Sequence, residues 1–275
     1  MIGIVVDSSA DLATDAPPVH VVPIGIRFGD ETWSVPAGDD DAWRLRFWHR
    51  LQTERHLPET VAPPSSAYAA AFREVSATGV DGIVVITPSS RLSASHEAAV
   101  LAAESHPGPV PIRIIDSRTV SAAYGMIAST ARSEAAAGAS LDTVIGETLA
   151  ERGRHATLIA MDTMENLRRG RRVRRGPELL ATTLGLKPLL SVVDDTVTTA
   201  GPVRGRERAL RRLLDRATAL APTSLVAVHS GSTELDRFVE ALRERTGLPV
   251  PVAPLGPVLA THTGTGALGF VCRRS

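Results

Sequence analysis

Five polar side chains that could form an anion site stand close together: Ser89, Ser90, Ser93, Ser95 and His96. They lie between an apolar run, Gly82 to Ile86, and an alanine-rich stretch, Ala98 to Glu104. A buried strand handing over to a helix leaves backbone N–H groups exposed at the positive end of the helix dipole. Hydroxyls from Ser90, Ser93 and Ser95 could donate there to a carboxylate or phosphate. The same residues also suit an ordinary helix start, with Ser93 or Ser95 as N-cap and Glu97 helping. The residue types leave both readings open.

Three further groups carry chemistry. Asp7-Ser8-Ser9-Ala10-Asp11-Leu12 follows the first apolar run, at the strand end where parallel sheets place ligands. Six arginines fall within the eight positions from Arg168 to Arg175, interrupted by Gly170 and Val173. They could engage phosphate, an acidic partner or solvent alone. Thr261-His262-Thr263-Gly264-Thr265-Gly266 pairs a histidine with glycines that let backbone approach a ligand. The histidines show neither an H-x-x-x-H spacing nor a cysteine partner, so no metal site is expected. Asp7 to Leu12 is not a G-x-G-x-x-G or P-loop pattern, and the sequence contains no G-x-S-x-G, so neither a nucleotide loop there nor a hydrolase nucleophile is expected.

The elements that must position these residues follow the rhythm of the chain. Short apolar runs alternate with helical patterns up to about residue 150, the mark of a parallel α/β sheet. Strands are expected at 2–6, 19–28, 82–86 and 112–115, and helices at 39–53, 67–78, 92–105, 122–137 and 141–152. A proline-rich loop is expected over 58–66. Ala122, Ala123, Ala128 and Ala131 suit either a narrow tube or close packing of a helix on a sheet. Beyond 156 the pattern becomes mixed. Strands are expected at 156–161 and 225–229, a hairpin over 189–200, and helices at 177–184, 204–220 and 233–245. A short strand is expected at 250–254, then a glycine-rich stretch over 261–269 and a last strand at 270–273. The expected organisation is an N-terminal α/β domain over 1–155 and a C-terminal mixed α/β domain over 156–275.

Composition narrows the function classes. The 275 residues are 43% hydrophobic and only 4% aromatic, so the core must be aliphatic. Formal net charge is zero, which gives nucleic-acid binding no global electrostatic support. Lys187 is the single lysine, and all other basic residues are arginine. One cysteine, Cys272, rules out an intrachain disulfide. No apolar run approaches the roughly 20 residues of a membrane span. Met1 to Val6 reads as a strand rather than a signal peptide, so a cytoplasmic location is expected.

Taken in order, the motifs resemble those of the DegV family, which includes the fatty-acid-binding subunit of bacterial fatty-acid kinase. The motifs are Val6 to Leu12, Val22-Pro23-Ile24, Ser90 to Ser95, and Ile115-Asp116-Ser117. They continue with Met161 to Leu167, Gly170-Arg171-Arg172, Leu186-Lys187-Pro188-Leu189 and His262 to Gly269. The resemblance implies a two-domain α/β fold, with a parallel-sheet domain followed by a mixed-sheet domain and one long-chain fatty acid bound between them in an apolar tunnel. It places the carboxylate near Ser93, with Ser95, His262, Arg172 and the Val61-Ala62 loop around it. It implies no catalytic residue and no cofactor beyond the bound acid. The expected partner is a separate kinase subunit that makes the acyl phosphate. Transient contact with a membrane surface is a further expectation, carried by Arg168 to Arg175. The alternatives are a lipid carrier or sensor without kinase coupling, or a stand-alone small-molecule enzyme using Asp7, Ser8 and His262. The sequence departs from the family pattern at Val61 and Ala62, which replace loop hydroxyls. Ala94-Ser95-His96 stands for Gly-Thr-Tyr, Arg171 for a glycine, and Thr265 for a proline. A larger share of the head-group contact is therefore expected from His262, Ser95 or a water.

Overall fold

The computed structural model describes residues 1–11, 19–37, 40–54, 56–163, 186–193, 195–199 and 203–275. The chain divides into two compact units, 1–42 with 58–153 and 43–57 with 154–275. The second unit thus takes in a segment, 43–57, that lies inside the sequence of the first.

In the first unit β1 (Ile2–Asp7) pairs in parallel with β2 (His20–Val22) and with β6 (Gly82–Thr87), and β6 pairs with β7 (Ile112–Asp116). The strand order is β2-β1-β6-β7. Side-chain alternation along the strands builds two cores. Val5, Ile83 and Val85 pack with Tyr68, Phe72 and Val75 of α2 (Ser65–Ser76) and with Ala99 and Ala102 of α3 (Ser95–Glu104). Ile4, Val6, Val84 and Ile86 face the other way, onto α4 (Ser121–Ala136) and Val144 of α5 (Leu141–Glu151). Ala128 and Ala131 belong to that second core, so these alanines serve close helix-to-sheet packing.

The expected single strand over 19–28 is broken at Pro23 into β2 and β3 (Gly25–Phe28). Proline has no N–H for a ladder, so β2 joins the parallel sheet and β3 starts another. β3 pairs antiparallel with β4 (Glu31–Ser34) and with β5 (Glu59–Val61). The loop expected over 58–66 therefore contains a strand and the start of α2. Three residues between prolines give too short a period for sequence reasoning to register.

In the second unit the strand order is β11-β10-β8-β15-β13-β14. β8 (His155–Ala160) pairs antiparallel with β10 (Leu189–Val193) and with β15 (Leu268–Arg273). β10 turns into β11 (Thr196–Thr199), the expected hairpin. β13 (Ser224–His229) is antiparallel to β15 and parallel to β14 (Val252–Pro254). A small two-stranded sheet joins β9 (Leu186–Lys187) to β12 (Val203–Arg204). Leu158, Leu225, Ala227 and Phe270 form a core with Leu213 of α6 (Arg206–Ala219) and Leu242 of α7 (Leu235–Thr246). This is the mixed sheet anticipated from the change of rhythm. From 43–57 comes α1 (Asp41–Thr53), whose Trp48 sets its ring edge against His229 at 6.1 Å. A helix that the sequence reading missed, α8 (Pro257–Thr263), runs into the start of the glycine-rich stretch.

Candidate functional site

The serine cluster is ordered by its backbone. Ser89 N–H donates to the Thr119 carbonyl at 2.9 Å, and the Ser89 carbonyl accepts from Leu92 and Ser93. This turn brings Ser93 to the start of α3. The residue preceding α3 is Ala94, which has no hydroxyl to cap it. Ser93 Oγ instead accepts the N–H of Ser95 at 3.2 Å and donates to Ser95 Oγ at 3.0 Å. Ser93 is half-buried, and its hydroxyl stabilises the start of α3 through Ser95.

Ser90 is not a free donor. Its hydroxyl donates to Asp116 Oδ2 at 2.6 Å and its N–H to Asp116 Oδ1 at 3.3 Å. The Asp116 of the Ile115-Asp116-Ser117 motif holds the serine loop in this way, and it also accepts from Arg118 N–H at 2.8 Å. His96 Nδ1 lies 3.0 Å from the Thr87 hydroxyl, so this histidine braces β6.

Behind the serines lies a buried group that sequence reasoning only half identified. Asp7, at the end of β1, has no solvent exposure. Its Oδ1 accepts from the N–H of Ser9 at 3.1 Å and from the Ser9 hydroxyl at 2.5 Å. Burial raises the proton affinity of its carboxyl, while the hydroxyls of Ser9, Ser95 and Tyr68 act in the opposite direction. Tyr124 OH accepts from Asp7 N–H at 3.1 Å and donates to the Ile86 carbonyl at 2.5 Å, tying β1 to β6. Burial, and then the charge of Asp7, keeps both Tyr68 and Tyr124 protonated. The available signal for this group was Asp7 itself, the first polar residue after an apolar strand. Ser8 is committed elsewhere, its Oγ accepting from Ile24 N–H at 2.9 Å. Leu12 lies outside the described residues.

Val61 and Ala62 close β5. Val61 is paired with Gly25, and its side chain is 36% exposed. A Cβ at Gly25 would come within 3.3 Å of the Val61 Cβ and 3.0 Å of Thr32, so glycine leaves room for both. Thr60, the neighbouring hydroxyl, pairs with the buried Ile26 and so stands on the opposite face of β5. It does not replace a hydroxyl at position 61 without turning the strand over.

In the second unit His262 sits on α8, not in a loop. The turn after it is clamped. Ser230 Oγ donates to the Gly264 carbonyl at 2.8 Å and accepts from Ala267 N–H at 3.0 Å. Gly264 and Gly266 both have positive φ, at 77° and 78°. A Cβ on Gly266 would collide with the Asp162 carboxylate. Arg206, absent from the expected site, donates to the Gly266 carbonyl at 2.7 Å and to Ser232 Oγ at 3.0 Å. It also lies 3.6 Å from Asp162, which is paired with Lys187 at 2.8 Å. Three separated motifs, at Asp162, Lys187 and Gly264–Gly269, are therefore one structural assembly that sets the pose of α8. Arg172 and the whole arginine run from Arg168 to Arg175 lie outside the described residues. Among the described residues there is no cluster of three or more His, Cys, Asp or Glu that could hold a metal, and no helix is long and apolar enough to cross a membrane.

A four-stranded parallel unit with a serine turn at its strand ends, and a mixed six-stranded unit with a clamped glycine turn, define a two-unit α/β protein. The chain belongs to the DegV family, whose model, described as an uncharacterised protein family, matches residues 1–274. A DegV domain-containing protein of Streptomyces coelicolor is 32% identical, over 98% of this chain and 97% of its own. One from Mycobacterium tuberculosis is 34% identical, over 93% and 88%. Among solved structures, a fatty-acid-binding DegV family protein from Thermus thermophilus is 28% identical with a TM-score of 0.84, covering 100% of this chain and 99% of that one. A Streptococcus agalactiae DegV family structure, at 19% identity and a TM-score of 0.87, shares the fold over 100% of this chain and 99% of its own.

Proposed function

We propose that the protein binds a long-chain fatty acid, holds its carboxylate near Ser93, and presents it to a separate kinase subunit for phosphorylation to an acyl phosphate. The observation that carries this reading is the Ser93 hydroxyl, half-buried at the start of α3 and backed by Ser95. Membership of the DegV family and the likeness to the fatty-acid-binding Thermus thermophilus protein support the ligand class.

An apolar tunnel supplies the affinity. Burying about 15 methylene and methyl groups at about 0.8 kcal/mol each is worth on the order of 12 kcal/mol before the costs of ordering. The head group need only avoid an unpaired burial, so a hydroxyl and the backbone N–H groups of a helix start suffice. His262 and Arg172 complete the expected contacts, and Val61 and Ala62 line the loop without adding donors. The chain acts as a binding subunit in the cytoplasm and leaves the chemistry to its partner. The arginine run serves as the surface that meets the kinase or, transiently, an anionic membrane.

Ser93→Ala should weaken binding of a fatty acid by about tenfold or more, equivalent to about 1.4 kcal/mol. Undiminished affinity in a folded variant would remove Ser93 from the site. Mass spectrometry of lipid extracted from the purified protein tests the ligand class. Adding a cognate kinase with ATP and looking for acyl phosphate tests the coupling. A second reading, a carrier or sensor without kinase, is favoured by the outward Val61 where the family places a hydroxyl. It predicts lipid in the protein and no acyl phosphate in the reconstitution.

A further inference from the structure

Asp7 has no part in the reading above, yet it lies directly behind it. Its Oδ1 is satisfied by Ser9, whereas its Oδ2 is buried without a hydrogen-bond partner among the described residues. The hydroxyls of Ser95 and Tyr68 lie close enough to bear on its charge. Tyr68 OH makes no well-formed hydrogen bond among the described residues and faces both Asp7 and Ser95. From the outside inward the order is the half-buried Ser93, the fully buried Ser95 and then Asp7, with 3.0 Å between the two serine hydroxyl oxygens.

The direction in which these hydroxyls donate matters. In the structure Ser93 donates inward to Ser95, the polarity that suits an ionised Asp7. A bound acid group at Ser93 needs the opposite, a proton pointing outward. If Ser93 turns its O–H to the ligand, Ser95 Oγ loses the donor it had, and the groups inside that face it are Asp7 and Tyr68. An ionised carboxyl has no proton to give, and it would leave two anions facing each other through one half-buried and one buried hydroxyl. A neutral carboxyl removes both problems.

We infer that Asp7 is a positioning residue for an acid ligand: protonated when the ligand is bound, it donates to Ser95 and so frees the Ser93 hydroxyl to donate outward. This rests on the reading of Ser93 as the head-group contact. Where Asp7 is ionised in the empty protein, the proton comes from solvent, and the ligand and Asp7 together then carry one negative charge instead of two. The titratable groups facing Asp7 are Tyr68 from α2 and Tyr124 from α4, with Ser9 from its own turn and Ser95 from α3. Burial is the largest influence on the Asp7 carboxyl and favours its neutral form. The same chemistry gives specificity, since an acid ligand draws the proton into place and a matching fatty alcohol does not.

The test is carboxyl NMR on protein stripped of lipid, isotope-labelled at its aspartate carboxyls and loaded with stearic acid. Asp7→Asn identifies the resonance, and Ser95→Ala, which perturbs it, does so if the Asn variant does not fold. The expected result is a protonated Asp7 in the loaded protein at about pH 7 to 8, where exposed aspartates are ionised. Asp7→Asn, whose amide can donate in place of the carboxyl, should keep stearic acid affinity within about threefold. An ionised Asp7 in the loaded protein overturns the inference, as does a folded Asp7→Asn variant that loses as much affinity as Ser93→Ala. If Ser93→Ala itself binds normally, the head-group reading fails and this inference fails with it. If Ser93→Ala is weakened while Asp7 stays ionised, only the inference about Asp7 is lost.

Discussion

At the scale of single residues, the most informative side chain is one that sequence reasoning placed at a strand end without knowing its depth. Asp7 is fully buried, and burial raises its proton affinity more than its hydroxyl neighbours lower it. A carboxyl with a raised folded value stabilises the fold fully below the ordinary carboxylate value, and that contribution is lost as pH rises through the folded value. Stability should therefore fall as pH rises from about 4, and Asp7→Asn should remove this part of the slope. Urea midpoints measured across that range check it. A slope unchanged in the variant would mean that Asp7 is ionised at no cost. Cys272, the single thiol, is pushed up to about 11 mainly by burial, in keeping with its place in the second unit's core.

Among elements, the turn after α8 explains why distant motifs occur together. Arg206 reaches the Gly266 carbonyl, Ser232, Glu234 and Asp162 from the first turn of α6. The Ser232 hydroxyl, and next the Arg206 charge, hold the Glu234 carboxyl below its usual range. Arg206→Ala should cost about 2 to 3 kcal/mol, because it removes charge-assisted bonds to a half-buried cluster. Thermal unfolding measures this loss. Arg206→Lys should recover little, since a single ammonium does not span four acceptors. β15 shows a similar dependence on close approach: a Cβ at Gly269 would lie 2.7 Å from the Ile159 Cα, so only glycine passes there.

For the molecule as a whole, the order of residues along the chain is not the order of its units. The segment 43–57 belongs with 154–275, and Trp48 meets the His229 ring there. A fragment cut at the boundary suggested by the change of rhythm therefore lacks part of its own unit. Residues 154–275 expressed alone should melt without a cooperative transition, and a version with 40–57 joined to it should regain one. Circular dichroism on heating distinguishes them. A sharp transition in the shorter fragment would show that α1 contributes little to that unit.

The sequence alone was sufficient for the strands 2–6, 82–86 and 112–115, because each is a short run rich in Ile and Val, interrupted by a charge only at Arg113, and followed by turn residues. It also carried the family, since the motifs keep their order over nearly the whole chain. It could not register β5 or α8, which are too short for either period to show and lie among prolines and glycines. Nor could it show that Ser90 is spent on Asp116, that Thr60 and Val61 face opposite sides of β5, or that Asp7 has one oxygen with no partner among the described residues. Those facts depend on which residues meet across strands and helices far apart in the chain. Hydroxyls and carboxylates are short, and only tertiary packing decides which of them share a proton and which are left to bind something else.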